Sequence, residues 1–269
     1  MAVLGLGSTT HQLTAAERGT LAKDGYVVRE RVFDADEIAS ITASCEALVE
    51  RIVRDRQGKR VKASVYVFEP DMIQETYIKW EGDSDIVHGI EPFAHLSPQL
   101  EAWAYDPRLT EPMQDLIGHP EPRLFTEKLN LKRPRVGGLN PLHQDYPYWV
   151  GNAEVPEQVA TAMLFLDEST LENGCLRVVP GSHLAGKWRT RDDGDRFAHN
   201  EIDTGAYAGV QSVPLEVPGG SVVWFGSLLA HQSSPNVSDK ERRALLYSYQ
   251  PPGRAHTIES MRKMRRPRG

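Results

Sequence analysis

From residue 123 onward the chain is a succession of short β-type runs, and that succession limits its fold more than any other feature. The runs 123–132, 159–167, 175–179, 213–217, 221–225 and 242–249 are rich in branched and aromatic residues. Pro, Gly and Asn separate them, and these residues favour turns over continued strand. Short strands repeated at such spacing predict a mainly β sandwich or barrel with helices outside it.

The first sixty residues follow a different period. Thr14 followed by Glu17 reads as a capping box opening a short helix before Gly25. A second helix begins near Asp34 or Asp36, with Ile38, Ile41, Cys45, Leu48 and Ile52 spaced along one face of a 3.6-residue period. Cys45 lies on that stripe and reads as a core thiol, as does Cys175. Val61–Phe68 and Thr76–Trp80 read as strands, and a helix over Leu109–Ile117 closes at Gly118. Residues 184–212 hold few apolar side chains and read as a long surface loop.

The 269 residues suit one domain: a helical part at 1–60 packed on a barrel at 60–250, with a basic tail at 255–269. A net charge of −6 argues against nucleic acid as a partner. The cluster Arg262, Lys263, Arg265, Arg266 and Arg268 is the exception, and reads as a solvated tail. No apolar run is long enough to cross a bilayer. Met1 to Gly7 lacks the pattern of a secretion signal, and two cysteines are too few for a disulfide framework. A cytoplasmic protein with no membrane or nucleic-acid partner is the expectation; oligomeric state has no sequence signal.

His143-Gln144-Asp145 sets two metal-ligand side chains at i and i+2, which share one face on an extended strand. His231, far downstream after the strand-like Ser221–Phe225, would complete a two-His, one-carboxylate facial triad with three open positions. Alone, a His-x-Asp pair arises readily by chance in a chain with nine histidines, and a solvated loop explains it equally well.

The surrounding motifs decide the matter. Pro141-Leu142-His143-Gln144-Asp145, Leu171-Glu172-Asn173-Gly174-Cys175-Leu176, Val178-Val179-Pro180-Gly181-Ser182-His183, Val217-Pro218-Gly219-Gly220-Ser221-Val222-Val223 and His231-Gln232-Ser233-Ser234-Pro235-Asn236 occur in that order, ending at Arg242. Together they resemble the phytanoyl-CoA dioxygenase family over roughly residues 123–250. The resemblance implies a double-stranded β-helix, a jelly-roll or cupin-like core, and an Fe(II)/2-oxoglutarate-dependent dioxygenase that consumes O2, releases succinate and CO2, and hydroxylates or otherwise oxidises a small-molecule substrate. It implies iron ligation by His143, Asp145 and His231, and a grip on the far carboxylate of 2-oxoglutarate by Arg242 and Ser233. A guanidinium suits that grip because its planar fork matches a carboxylate and keeps its charge.

Some positions depart from the family pattern. Met163 stands where the founding member has a tryptophan beside the cosubstrate, and a family lysine falls near Gly89. In the run 123–132, Thr126, Lys128 and Asn130 share one face, and Phe125, Leu129 and Leu131 the other. If the apolar face packs inward, Lys128 and Asn130 meet the pocket and contact 2-oxoglutarate or substrate; otherwise Lys128 points to solvent. Tyr146, Tyr148 and Trp149 either line the substrate pocket or pack beneath a loop. His183 reads as a structural hydrogen-bonder. Asp145 excludes halogenase relatives, which carry a small residue there.

Competing readings are a cupin-type isomerase or epimerase, a catalytically silent binding protein on the same scaffold, and a nucleic-acid enzyme resting on the basic tail alone. Family members act on acyl-CoA, amino acids, compatible solutes, phosphonates and natural-product intermediates, so specialised metabolism is the expected setting. No signature in residues 60–120 chooses among them.

Overall fold

The computed structural model describes residues 10–63, 66–150, 153–191 and 200–264. Helix α1 (Ala15–Asp24) opens with the reciprocal Thr14–Glu17 capping box and ends at Gly25, whose φ of 86° is left-handed. Strand β1 (Tyr26–Arg29) follows. Helix α2 (Ala35–Asp55) is capped by Asp34 with Glu37 and buries Ile41, Cys45, Leu48 and Ile52. Strands β2 (Val61–Ala63), β3 (Tyr66–Asp71), β4 (Thr76–Trp80) and β5 (Val87–Glu91) form a meander. Helices α3 (Pro98–Trp103) and α4 (Pro107–Ile117) lead to β6 (Arg123–Lys132), β7 (Asn140–His143) and the single turn α5 (Tyr146–Trp149). The rest comprises β8 (Ala160–Phe165), β9 (Leu176–Val178), β10 (Val213–Leu215), β11 (Val222–Gly226), β12 (His231–Ser233), β13 (Arg242–Gln250) and α6 (Thr257–Met264).

Two antiparallel sheets result. One runs β1-β11-β8-β13-β6-β5-β4-β3-β2, and the other β10-β9-β12-β7. The double-stranded β-helix and the flanking N-terminal helices expected from the sequence are both present.

The long sheet separates two cores. Its outer face meets the helices in a cluster that includes Ile41, Leu48, Leu109, Met113, Leu129, Leu131, Trp224 and Leu245. Buried aromatics there carry polar ends that need partners. Trp224 Nε1 donates to Leu109 O at 3.2 Å, Tyr247 Oη to Leu100 O at 2.7 Å and Tyr249 Oη to Ala104 O at 2.6 Å. The inner face joins Met163, Phe165, Val223, Phe225 and Ala244 to Leu176 and Val178 of the short sheet. The candidate site opens between the sheets.

Several expectations need correction. The region 1–60 is not wholly helical, because β1 pairs with β11 and completes the long sheet. Val61–Phe68 is two strands of a hairpin rather than one. Phe125 does not share the face of Leu129 and Leu131: the β6–β13 register slips between Ser248 and Tyr249, and Phe125 turns into a separate cluster with Trp149, Ala153 and Val159. The stretch 184–212 is anchored as well as exposed. Trp188 and Ile202 are buried with Val179 and Ala230, and Trp188 stacks on Tyr207 at 4.3 Å. Its residues 192–199 lie outside the described part, as do Met1 to Gly7 and Arg265, Arg266 and Arg268. The tail begins as a docked helix: Ile258 and Met261 are buried and Arg262 pairs with Glu75 at 3.0 Å. Among the described residues, no helix is long and apolar enough to cross a membrane.

Candidate active site

Strands β7 and β12 lie side by side in the short sheet, and their register makes His143 the direct partner of His231. The two rings stand 4.2 Å apart between centroids. Asp145 arrives differently from expectation. β7 ends at His143, and Asp145 has φ −70° and ψ −28°, so it is not two residues along the same strand face. The chain turns into α5, and that turn swings the carboxylate toward the histidines. Gln144 holds the turn from within: its side chain donates to Gly186 O at 2.9 Å and Leu228 O at 2.6 Å, and accepts from Trp188 N at 2.8 Å.

The outcome is one cluster of possible metal donors. The ligand atoms of His143, Asp145 and His231 all lie within 4.8 Å of one another. His143 Nε2 and His231 Nε2 are 3.7 and 3.9 Å from Asp145 Oδ1. Each Nδ1 is occupied with a backbone carbonyl, Pro141 O at 2.7 Å and Leu229 O at 2.9 Å. Nδ1–H therefore donates, and the Nε2 lone pairs face the cluster. Burial, His231 and the charges of Lys128 and Lys79 push His143 far below the ordinary imidazole range, which keeps the ring neutral. Burial raises the Asp145 carboxyl, with His231 and Lys128 opposing. Two imidazole nitrogens and one carboxylate on one side of a common point fit a divalent iron ion.

The facing wall belongs to the long sheet. Ala244 lies in the inner cluster, so Arg242, two residues earlier on β13, shares its face. Arg242 is 1% exposed, and its Nε and Nη1 have no hydrogen-bond partner among the described residues. Burial lowers its pKa only to about 10, so it stays charged. An unanswered buried guanidinium is costly without an anion, and a carboxylate would fit it. Arg243 takes the opposite face but is not left to solvent: it pairs with Asp167 at 2.7 Å and Glu46 of α2 at 2.9 Å. Ser233 is buried on β12, and Met163 lies on the inner face as the register partner of Leu246.

On β6, Leu129 and Leu131 lie in the outer cluster, so Lys128 and Asn130 take the opposite face. Lys128 is paired with Glu91 at 3.2 Å rather than left to bulk solvent. Asn130 Oδ1 is buried without a partner among the described residues. The aromatic expectations divide. Tyr148 sits edge-on to His143, with ring centroids 5.7 Å apart. Trp149 packs on Phe125 beneath the turn. Tyr146 hydrogen-bonds Glu157 instead. His183 lies against Gly25 and Ala22 O, outside the metal cluster.

Sequence reasoning missed a buried polar group beside this wall. Lys79 on β4 is the register partner of Gly89, where a family lysine had seemed lost. Its Nζ reaches Asn140 Oδ1 at 3.0 Å and lies 3.3 Å from the Tyr66 ring centre. His88 Nδ1 meets Glu81 Oε1 at 2.6 Å, and Lys132 Nζ donates to Gly138 O and, at 2.7 Å, to Ser234 O. The available signal was a lone lysine within the apolar run Thr76–Trp80, facing a residue without a side chain.

Comparison with known proteins agrees with this geometry. A family model described as phytanoyl-CoA dioxygenase (PhyH) matches residues 21–244. The phytanoyl-CoA dioxygenase domain-containing protein 1 homolog of Caenorhabditis briggsae is 26% identical over 84% of this chain and 87% of its own length. L-proline trans-4-hydroxylase of Streptomyces griseoviridis is 32% identical over 63% of this chain and 69% of its own. The crystal structure of EctD from S. alaskensis with 2-oxoglutarate and 5-hydroxyectoine shares the fold: TM-score 0.69, 22% identity, and coverage of 90% of this chain and 77% of that one.

Proposed function

The chain belongs to the phytanoyl-CoA dioxygenase family, and as an Fe(II)/2-oxoglutarate-dependent dioxygenase we propose that it holds iron through His143, Asp145 and His231 and oxidises a C–H bond of a small, charged metabolite. Iron and 2-oxoglutarate supply the oxidising power, O2 is consumed, and succinate and CO2 leave. The protein's own residues fix position and charge. Backbone carbonyls of Pro141 and Leu229 lock both imidazoles with Nε2 toward the cluster. Arg242 holds the far carboxylate of the cosubstrate, with Ser233 donating beside it and Met163 packing nearby.

The observation that carries this reading is the Arg242 guanidinium, buried and unanswered on the wall facing the histidines. A keto diacid answers that cation, whereas neither a cupin-type isomerase nor a silent scaffold requires it.

Lys128 and Asn130 take the substrate end of the wall. Lys128 and Glu91 form a half-buried pair at 3.2 Å, and Asp145 senses the charge of both. A cation and an anion side by side suit a metabolite that bears both charges, such as the amino acid named in the proline hydroxylase relative. Tyr148, edge-on to His143, offers that substrate an aromatic wall.

Anaerobic addition of Fe(II) and then 2-oxoglutarate tests the site: a weak visible charge-transfer band is expected, and its absence rejects the reading. Succinate release measured across amino acids, other zwitterions and acyl-CoA thioesters tests the substrate class. Turnover of thioesters alone would reject the charged-metabolite assignment.

A further inference from the structure

We propose that Lys79 is a positioning residue which, through Asn140, aims the Ser233 hydroxyl as a hydrogen-bond donor into the cosubstrate pocket. This rests on the reading of Ser233 given above. The chain of contacts runs Lys79 Nζ to Asn140 Oδ1 at 3.0 Å, then Asn140 Nδ2 to Ser233 Oγ at 3.1 Å. The amide atom that meets Nζ is the oxygen, which accepts from the lysine's N–H. The Tyr66 hydroxyl donates to the same oxygen at 3.4 Å. With Oδ1 committed, the amide's NH2 is turned toward Ser233 and donates to Oγ. Ser233 Oγ, having accepted from the amide, keeps its own O–H for another acceptor.

Without the lysine, nothing of comparable strength fixes the amide. Flipped, Asn140 would present its oxygen to Ser233, and the hydroxyl would donate inward to the amide rather than outward to a ligand. Lys79 Nζ and the Tyr66 hydroxyl both donate to Oδ1, and two donors on one oxygen fix the orientation. The lysine is itself held in place. The Tyr66 ring lies against Nζ at 3.3 Å. His88, whose Nδ1 donates to Glu81 at 2.6 Å, turns an accepting Nε2 to within 3.3 Å of Asn140; alone it would draw the amide's NH2, the orientation that Lys79 opposes.

A lysine that touched the cosubstrate directly would act independently of Ser233; a positioning lysine acts only through it. Anaerobic 2-oxoglutarate titration of the Fe(II) protein, read from the visible chelate band, separates the two. Lys79→Met is expected to raise the dissociation constant roughly tenfold, the loss of one hydrogen bond to a charged group. In a Ser233→Ala background the same change is expected to raise it less than about twofold, because the coupled interaction is already gone. Fe(II) affinity stays unchanged in both.

Equal fold-changes in the two backgrounds, or none in the single variant, overturn the proposal. If Lys79→Met does not fold, Asn140→Asp serves. It keeps an oxygen toward Lys79 but loses the donor, so the Ser233 hydroxyl is captured and 2-oxoglutarate affinity should fall as far as in Ser233→Ala. Wild-type affinity in Asn140→Asp overturns the proposal. Absence of the band in the wild-type protein would instead reject the iron site itself, which keeps the two failures apart.

Discussion

His143 and His231 are direct register partners on neighbouring strands, their rings 4.2 Å apart, although they lie far apart in sequence. Pairing at the ladder, rather than a flexible loop, sets the distance between two of the three candidate donors. His143→Ala or His231→Ala should therefore lower Fe(II) affinity and metal-dependent succinate formation on the order of a hundredfold or more, beyond the range seen for groups that merely support ligands. Metal titration under nitrogen measures the first effect. Both variants retaining wild-type affinity would dispose of the centre.

Arg242→Met removes the charge but keeps most of the volume. The dissociation constant for 2-oxoglutarate should rise by roughly ten- to a hundredfold, the worth of hydrogen bonds to a charged group. Fe(II) affinity should hold. Arg242→Lys is expected to recover little, since an ammonium cannot reproduce two parallel donors from a planar fork. Recovery to wild type by lysine would argue for simple charge attraction.

His88 links the buried polar group to acid stability. Burial, then the charge of Lys79, hold its pKa at about 3, against the opposing hydrogen bond it donates to Glu81, whereas an unfolded chain titrates near the ordinary 6.5. Between those values the unfolded state binds the extra proton and the native state does not. Stability should thus decline as pH falls from about 6.5 toward 3, by up to ~1.4 kcal/mol per pH unit from this group. His88→Gln should flatten that slope in urea melts at successive pH values; an unchanged slope would reject the assignment.

Gly174 has φ of 79°, and a Cβ added there would sit 2.3 Å from Ser234 O and 3.1 Å from Lys132 Cδ. Gly174→Ala combines left-handed strain with a backbone clash and should cost about 1–3 kcal/mol in chemical denaturation. Because Ser234 adjoins Ser233, 2-oxoglutarate affinity should weaken with it. A stability loss with no change in affinity would separate this turn from the pocket.

The long periodic elements could be read from the sequence. The stripe Ile41, Cys45, Leu48 and Ile52, the cap at Thr14 and the strand 123–132 all appear where local pattern predicts them. The candidate donors His143, Asp145 and His231 were legible through their motifs, and the structure places their ligand atoms within 4.8 Å of one another. What escaped was set by tertiary pairing. β7 and β12 are too short to carry a period, and β1 gains its identity only from β11. The bulge at Phe125 depends on the partner strand, and the turn that delivers Asp145 depends on Gln144 gripping two distant carbonyls. Lys79 resembled any surface lysine until its neighbours enclosed it.

The three candidate metal donors belong to the short sheet or its edge, whereas Arg242 belongs to the long one. In the proposed binding mode, the span from metal to guanidinium is the gap between two packed layers, a dimension that tight side-chain packing makes stiff. Such a pocket behaves as a ruler. A keto diacid one carbon shorter or longer than 2-oxoglutarate would satisfy one end and miss the other, so chain-length discrimination belongs to the architecture itself and no loop substitution should readily relax it.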